Sequence, residues 1–133
     1  DRDQGTVEQG IATLKAALDR GDRLVLFAEG TSSDGQRVLP FRSSLFAAVA
    51  AGTRVQPVAL RYTAPPGRDQ RFYGWWAPMP FGPSLRTVLA QAPQGRVSLS
   101  FLPVRDAPGP TGRKSFAADL ETAIRARFTA MGR

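Results

Sequence analysis

The stretch Arg23-Leu24-Val25-Leu26-Phe27-Ala28, "RLVLFA", runs straight into Glu29-Gly30-Thr31-Ser32-Ser33-Asp34-Gly35, "EGTSSDG". The first run is too short for a stable helix. It is also too uniformly apolar for a strand with one wet face, so it reads as a strand covered on both sides. Upstream, Thr6 and Gln9 are spaced as a capping box. Val7, Ile11, Leu14 and Leu18 follow at helical intervals, and Gly21 supplies a stop. Helix, buried strand and polar turn in that order predict an α/β fold with a central, mostly buried β-sheet flanked by helices. In such folds the loop beyond a strand's C-terminal end is where ligands sit.

The remaining elements follow from pattern. Ser43 to Ala51 reads as a short apolar helix between Pro40 and Gly52. "VQPVALRY" (Val55 to Tyr62) reads as a strand whose Pro57 cannot donate to a ladder, which places it at an edge or a bulge. Residues 64–83 are rich in Pro, Gly and aromatics and predict a long surface loop with one short strand near Phe72 to Trp76. Ser84 to Gln91 predicts a helix, and "RVSLSFL" (Arg96 to Leu102) alternates as a strand. Arg113 to Met131 places Phe116, Leu120, Ile124 and Phe128 on one helix face.

Composition narrows the chemistry. The chain of 133 residues is read as one domain over its whole length and as a piece of a longer protein. It has no cysteine, which excludes disulfides and thiolate metal sites. It has no histidine, which removes the commonest general base and the commonest metal ligand together. No metal and no cofactor are expected. The net charge is +7, carried mostly by scattered arginines, which suits phosphates or anionic lipid head groups. Nucleic acid is disfavoured, because no recognition motif or spaced aromatic platform accompanies the charge.

Within "EGTSSDG", Gly30 lets a ligand approach the backbone, and Thr31, Ser32 and Ser33 offer hydroxyls and consecutive N–H donors. Glu29 is either a fixed acceptor or a clamp for a nearby arginine. The alternative reading is a polar turn whose hydroxyls satisfy its own backbone.

The wider segment "LFAEGTSSDGQRVLPFRSSLF" resembles the third block of the glycerolipid acyltransferase family, which includes the lysophosphatidic acid acyltransferases. That block reads F-P-E-G-T-R-S, then a variable stretch, then L-P-F-K-x-G-x-F. Phe27, Glu29, Gly30, Thr31 and Ser33 match its first half; Leu39, Pro40, Phe41, Arg42 and Phe46 match its second. Further on, "VQPVAL" resembles the fourth block, V-x-P-V-A-[IL], with Pro57 at its proline. Arg2 follows Asp1 as in the [DE]-R ending of the second block. It is either that block's ligand-binding arginine or an ordinary surface arginine.

The resemblance implies the C-terminal part of a membrane-associated lysolipid acyltransferase domain. Its chemistry would move a fatty acyl group from an acyl-CoA or acyl-carrier-protein thioester to a lysolipid hydroxyl, at the cytoplasmic face of the inner membrane. The acceptor would be of the 1-acylglycerol-3-phosphate type. Glu29, Gly30, Thr31, Ser32, Ser33, Arg42, Arg2 and Pro57 would shape the acceptor site. The family's catalytic H-x-x-x-x-D pair is absent, so no catalytic residue is assigned here and the chain alone is expected to be inactive. Ala28 and Ser44 depart mildly from the pattern. Ser32 stands where the family keeps an arginine that holds the acceptor's phosphate. A serine cannot make that bidentate, charged contact. Either Arg37 or Arg42 substitutes for it, or the acceptor carries no phosphate there, as a lyso-ornithine lipid does not; the other alternative is a non-catalytic basic module that binds membranes.

Three other features carry two readings each. Trp75 and Trp76 beside Phe72 and Tyr73 read as core packing or as an anchor at a lipid surface. "PMPFGP" (Pro78 to Pro83) reads as a rigid loop or a ligand-touching one. The basic residues of the last helix read as a solvated face or as contacts to anionic lipid.

Overall fold

A computed structural model describes the backbone of residues 2–76 and 78–132, and side chains from residue 8 onward within those ranges. Helix α1 spans Arg2–Asp19. It starts ahead of the predicted capping box, so Thr6 lies inside the helix. A capping pattern starts a helix only where the preceding chain leaves helical geometry, and nothing in Arg2-Asp3-Gln4 breaks one. The predicted stripe is present: Ala17 is buried and Ile11, Leu14 and Leu18 are half-buried. Gly21 follows with φ +85°, the left-handed stop that glycine adopts without strain.

Residues 23–28 depart from expectation. Residues 23–27 form neither helix nor strand, Ala28 begins a turn, and Val25 and Phe27 are 84% and 76% exposed. A buried strand needs partners at both edges, and none of the described strands flanks this one. The predicted strand over residues 23–28 is therefore absent among the described residues.

A short 3-10 helix, Ser43–Ala48, follows in place of the longer predicted helix. Next come β1 (Arg54–Val55) and β2 (Val58–Thr63), separated at Gln56-Pro57. β3 (Arg96–Phe101) pairs antiparallel with β2, and β4 (Arg105–Asp106) pairs antiparallel with β1. The two ladders are one long antiparallel pairing broken by a bulge, since Gln56-Pro57 faces Leu102-Pro103-Val104. Pro57 sits at the break, as its missing N–H requires, and its carbonyl accepts from the N–H of Leu102 at 3.0 Å. The predicted strand near Phe72 to Trp76 is instead a run of turns. The dense Pro and Gly of the surrounding residues 64–83 favour turns over a ladder.

Helix α2 spans Phe81–Ala90 and α3 spans Arg113–Ala130, each close to its predicted range. The fold is thus mixed α/β, with small antiparallel sheets and packed helices. Its core joins Phe46 of the 3-10 helix to Ala107 and to Phe116, Ala117 and Leu120 of α3. The Phe46 and Phe116 rings meet edge to face at 6.0 Å, a geometry worth about 0.5–1.5 kcal/mol beyond burial. Ala28 and Phe41 pack against this cluster, so both flanks of the Glu29 loop are anchored to the core. α3 covers the β2–β3 face that carries Ala59 and Arg61. On the opposite face, Leu60 and Leu99 stand opposite each other and Val58 faces Phe101, with Phe101 68% exposed.

Candidate functional site

The loop 28–35 is positioned by backbone clamps. The N–H of Arg42 donates to the Ala28 carbonyl at 2.8 Å, tying the loop's first residue to Leu39-Pro40-Phe41-Arg42. Gly30 has φ +64° and its N–H donates to the Phe27 carbonyl at 3.0 Å, closing the turn around Glu29. A Cβ on Gly30 would lie 2.7 Å from Cδ and 3.0 Å from Nε of Arg42. The space that the missing side chain leaves is therefore filled by Arg42, not left open for a ligand. This places Arg42 directly alongside Glu29-Gly30-Thr31.

Glu29 is half-buried, and burial pushes its carboxyl above the usual glutamate range. The backbone N–H of Leu39 and the charge of Arg125 pull it partly back, while Glu121 pushes it further up. Thr31 and Ser32 are exposed, and the Thr31 hydroxyl reaches only the Ser32 carbonyl at 3.5 Å. Ser33 is used structurally. Its Oγ accepts from the Gly35 N–H at 3.1 Å, and its carbonyl accepts from the Trp75 N–H at 3.2 Å. That second bond lays residues 72–76 along the loop. Gly74 makes the approach possible, since a Cβ there would meet the Asp34 backbone at 2.9 Å.

A residue that the sequence did not single out holds the second half of the site. Glu121 on α3 accepts from the Phe41 N–H at 2.9 Å through Oε2, and from Arg125 at 2.6 Å through Oε1. These bonds, the backbone one first, hold its carboxyl below the usual range. The site therefore rests on three segments: the loop 28–35, the segment 39–42, and the middle of α3. Pro57 is buried at the sheet break and lies on a different element from the loop. The side chain of Arg2 lies outside the described residues.

Trp75 is not core. Its indole N–H donates to the Met79 carbonyl at 2.9 Å, and its ring meets Phe81 at 5.3 Å. α2 buries none of its residues, and Phe81, Leu85 and Leu89 form an exposed stripe in which Leu89 is 74% exposed. Among the described residues there is no cluster of acidic side chains able to hold a metal, and no helix is long and apolar enough to cross a membrane.

Comparison with known proteins places these residues among relatives. A family described as Acyltransferase matches residues 1–61. The lyso-ornithine lipid O-acyltransferase of Rhodobacter capsulatus is 43% identical over 129 residues, covering 93% of this chain and 47% of that protein. The lyso-ornithine lipid O-acyltransferase of Brucella abortus is 37% identical over 122 residues, covering 82% of this chain and 45% of that protein. The chain thus spans about half the length of the curated relatives it matches. No solved structure matches.

Proposed function

We propose that this chain, whose residues 1–61 match the Acyltransferase family, forms the acceptor-binding part of a lysolipid O-acyltransferase of the glycerolipid acyltransferase family whose acceptor is a lyso-ornithine lipid. The observation that carries the choice of acceptor is that both relatives matching most of the chain bear that name. It replaces the 1-acylglycerol-3-phosphate acceptor of the first reading. Ser32 agrees with the replacement: where the family keeps a phosphate-holding arginine, this chain offers an exposed hydroxyl.

In this reading Glu29, Gly30 and Thr31 form the wall against which the acceptor lies, and Arg42 supplies the cation beside them. Ser33 holds the loop to residues 72–76 through its carbonyl, while its hydroxyl, which accepts from Gly35, keeps its own O–H to donate to the acceptor. Pro57 acts by shaping the sheet behind the site. The acyl donor is an acyl-CoA or acyl-carrier-protein thioester, whose carbonyl carbon is attacked by the acceptor hydroxyl as the thiol leaves. The proton of that hydroxyl needs a base near neutral pKa. With no histidine in the chain, the base comes from a part of the protein outside these residues. Residues 1–133 act as one unit within that larger domain.

A peripheral position on the cytoplasmic face of the inner membrane fits the exposed Phe81-Leu85-Leu89 stripe, with Trp75 packed beside it and Arg86 on the same helix. Apolar side chains flanked by cations suit an anionic lipid surface.

The test is acyl transfer by the full-length protein with lyso-ornithine lipid and with lysophosphatidate, each with acyl-CoA and acyl-carrier-protein donors. Faster ester formation on lyso-ornithine lipid is expected. Preference for lysophosphatidate would overturn the choice of acceptor.

A further inference from the structure

We infer that the open cleft between the segment Gln36 to Val38, strand β2 and the end of α3 binds the anionic group of the acceptor lipid, with Arg37, Arg61 and Arg125 as its ligands. The inference rests on the lysolipid acyltransferase reading and assigns the acceptor's charged group a place within it.

The cleft has a volume of about 480 Å³, and Arg37, Val38, Arg61, Arg125 and Phe128 are among its lining residues. That volume suits a small polar head group with some water, within the range of about 300–1,000 Å³ typical of ligand pockets. Its three cations come from three separate segments, and among the described residues no carboxylate lines it. Arg61 is the best fixed of them. Its guanidinium stacks over the Phe128 ring at 4.7 Å, and Nη1 donates to the Phe128 carbonyl at 3.3 Å. A Cβ on Gly132 would come within 2.7 Å of Nη1, so the glycine leaves room for the guanidinium. Among the described residues no carboxylate pairs with Arg61. Arg37 comes only within 3.9 Å of Asp34, and Arg125 pairs with Glu121 through one nitrogen at 2.6 Å.

An arginine carries five N–H donors in a planar fork, so each of the three has donors to spare. Three guanidinium groups around one cleft repel one another, and an oxyanion between them relieves that repulsion while accepting several charge-assisted hydrogen bonds. The cleft also adjoins the acceptor wall. Arg125 acts on the Glu29 carboxylate, and the Leu39 N–H that faces Glu29 follows Val38 of the cleft lining. An ornithine joined to a fatty acid through one amine keeps a carboxylate and one ammonium. The cleft takes the carboxylate, and Glu29, nearby, has the charge that suits the ammonium.

The same oxyanion chemistry could come from a lysolipid phosphate or from the phosphates of coenzyme A, and steady-state kinetics separate the sources. Arg37→Gln and Arg61→Gln are made in the full-length protein, with Arg61→Lys to retain charge. Acceptor and donor are varied independently. Arg37 is exposed and bears little on folding, so its variant decides the matter even if Arg61→Gln does not fold. Each glutamine variant is expected to raise the acceptor KM about tenfold, the loss of one charge-assisted contact, with donor KM and kcat unchanged. Arg61→Lys should recover part of that loss. A rise confined to donor KM would give the cleft to coenzyme A and overturn the inference, as would no change in either KM or a fall in kcat alone. If the wild-type protein acylates lysophosphatidate but not lyso-ornithine lipid, the choice of acceptor fails separately. The same acceptor-KM comparison, run on lysophosphatidate, then decides the cleft.

Discussion

Replacing Gly30 with alanine probes the contact on which the acceptor wall depends. The substitution imposes two separable costs. Gly30 has φ +64°, and an L-residue in that left-handed region costs about 1–2 kcal/mol in backbone strain. The new Cβ would also stand 2.7 Å from Arg42 Cδ, well inside contact distance, so Arg42 must swing away. Its far end is flexible and exposed, so the swing adds little to the stability cost but moves the guanidinium off the loop. The expected result is a loss of about 1–2 kcal/mol in denaturant unfolding. It comes with a rise of about tenfold in acceptor KM as one charge-assisted contact is lost. Arg42→Ala makes the cycle complete. In that background Gly30→Ala should keep its backbone cost but cause no further rise in KM, so the two KM effects fail to add. Gly30→Asn is the control that separates the costs, since asparagine tolerates the left-handed region yet carries the colliding Cβ. It should lose less stability than alanine and show the same KM. Additive KM effects in the cycle would refute the claim that Gly30 exists to admit Arg42.

Further expectations follow from the α3 clamp, from burial and from α2. Glu121→Ala leaves the half-buried Phe41 N–H unpaired and frees Arg125, at a cost of about 1–2 kcal/mol measurable by denaturant titration; Glu121→Gln, which still accepts a hydrogen bond, should lose less. The two glutamates bear on acid stability with opposite signs. Glu121 has a depressed carboxyl, so its contribution is present above about pH 4.3 and is lost as pH falls. Glu29 has a raised one, so its contribution is full below about pH 4.3 and is lost as pH rises through its folded value. Glu29→Gln should therefore stabilise the protein at neutral pH, with the gain fading toward acid in a series of unfolding curves. Leu89→Glu on the exposed α2 stripe should weaken co-sedimentation with anionic vesicles without altering the melting curve, and unchanged sedimentation would remove α2 from the lipid surface.

The elements that were legible in advance are those whose pattern is local. The Phe116-Leu120-Phe128 spacing marks α3 as a core helix, and the alternation of Arg96 to Leu102 marks β3. Pro57 marks the break in the long antiparallel pairing, because a missing N–H has the same consequence wherever it occurs. Residues 23–28 have the composition of a buried strand, but pairing depends on neighbours, and no described strand lies at their edge. The position of the site loop was legible from its motif; its wiring was not. Glu121 lies eighty residues from Phe41 in the chain and reads in sequence as one more charge on a solvated helix face. Arg37, Arg61 and Arg125 are likewise scattered, and only the packing of α3 on β2 brings them to one cleft. A Glu with an Arg four residues later on an apolar-striped helix is the nearest thing to a signal for that arrangement, and such pairs occur on many surface helices.

The most direct measurement is acyl transfer to lyso-ornithine lipid by the full-length protein, wild type against Glu29→Ala, with vesicle binding followed in parallel. The wild-type protein is expected to form the O-acyl ester, and Glu29→Ala to lose most of that turnover while still binding vesicles. Near-normal turnover in Glu29→Ala would contradict the acceptor-wall assignment. Tight vesicle binding with no transfer to any lysolipid in the wild type would contradict the enzyme reading itself.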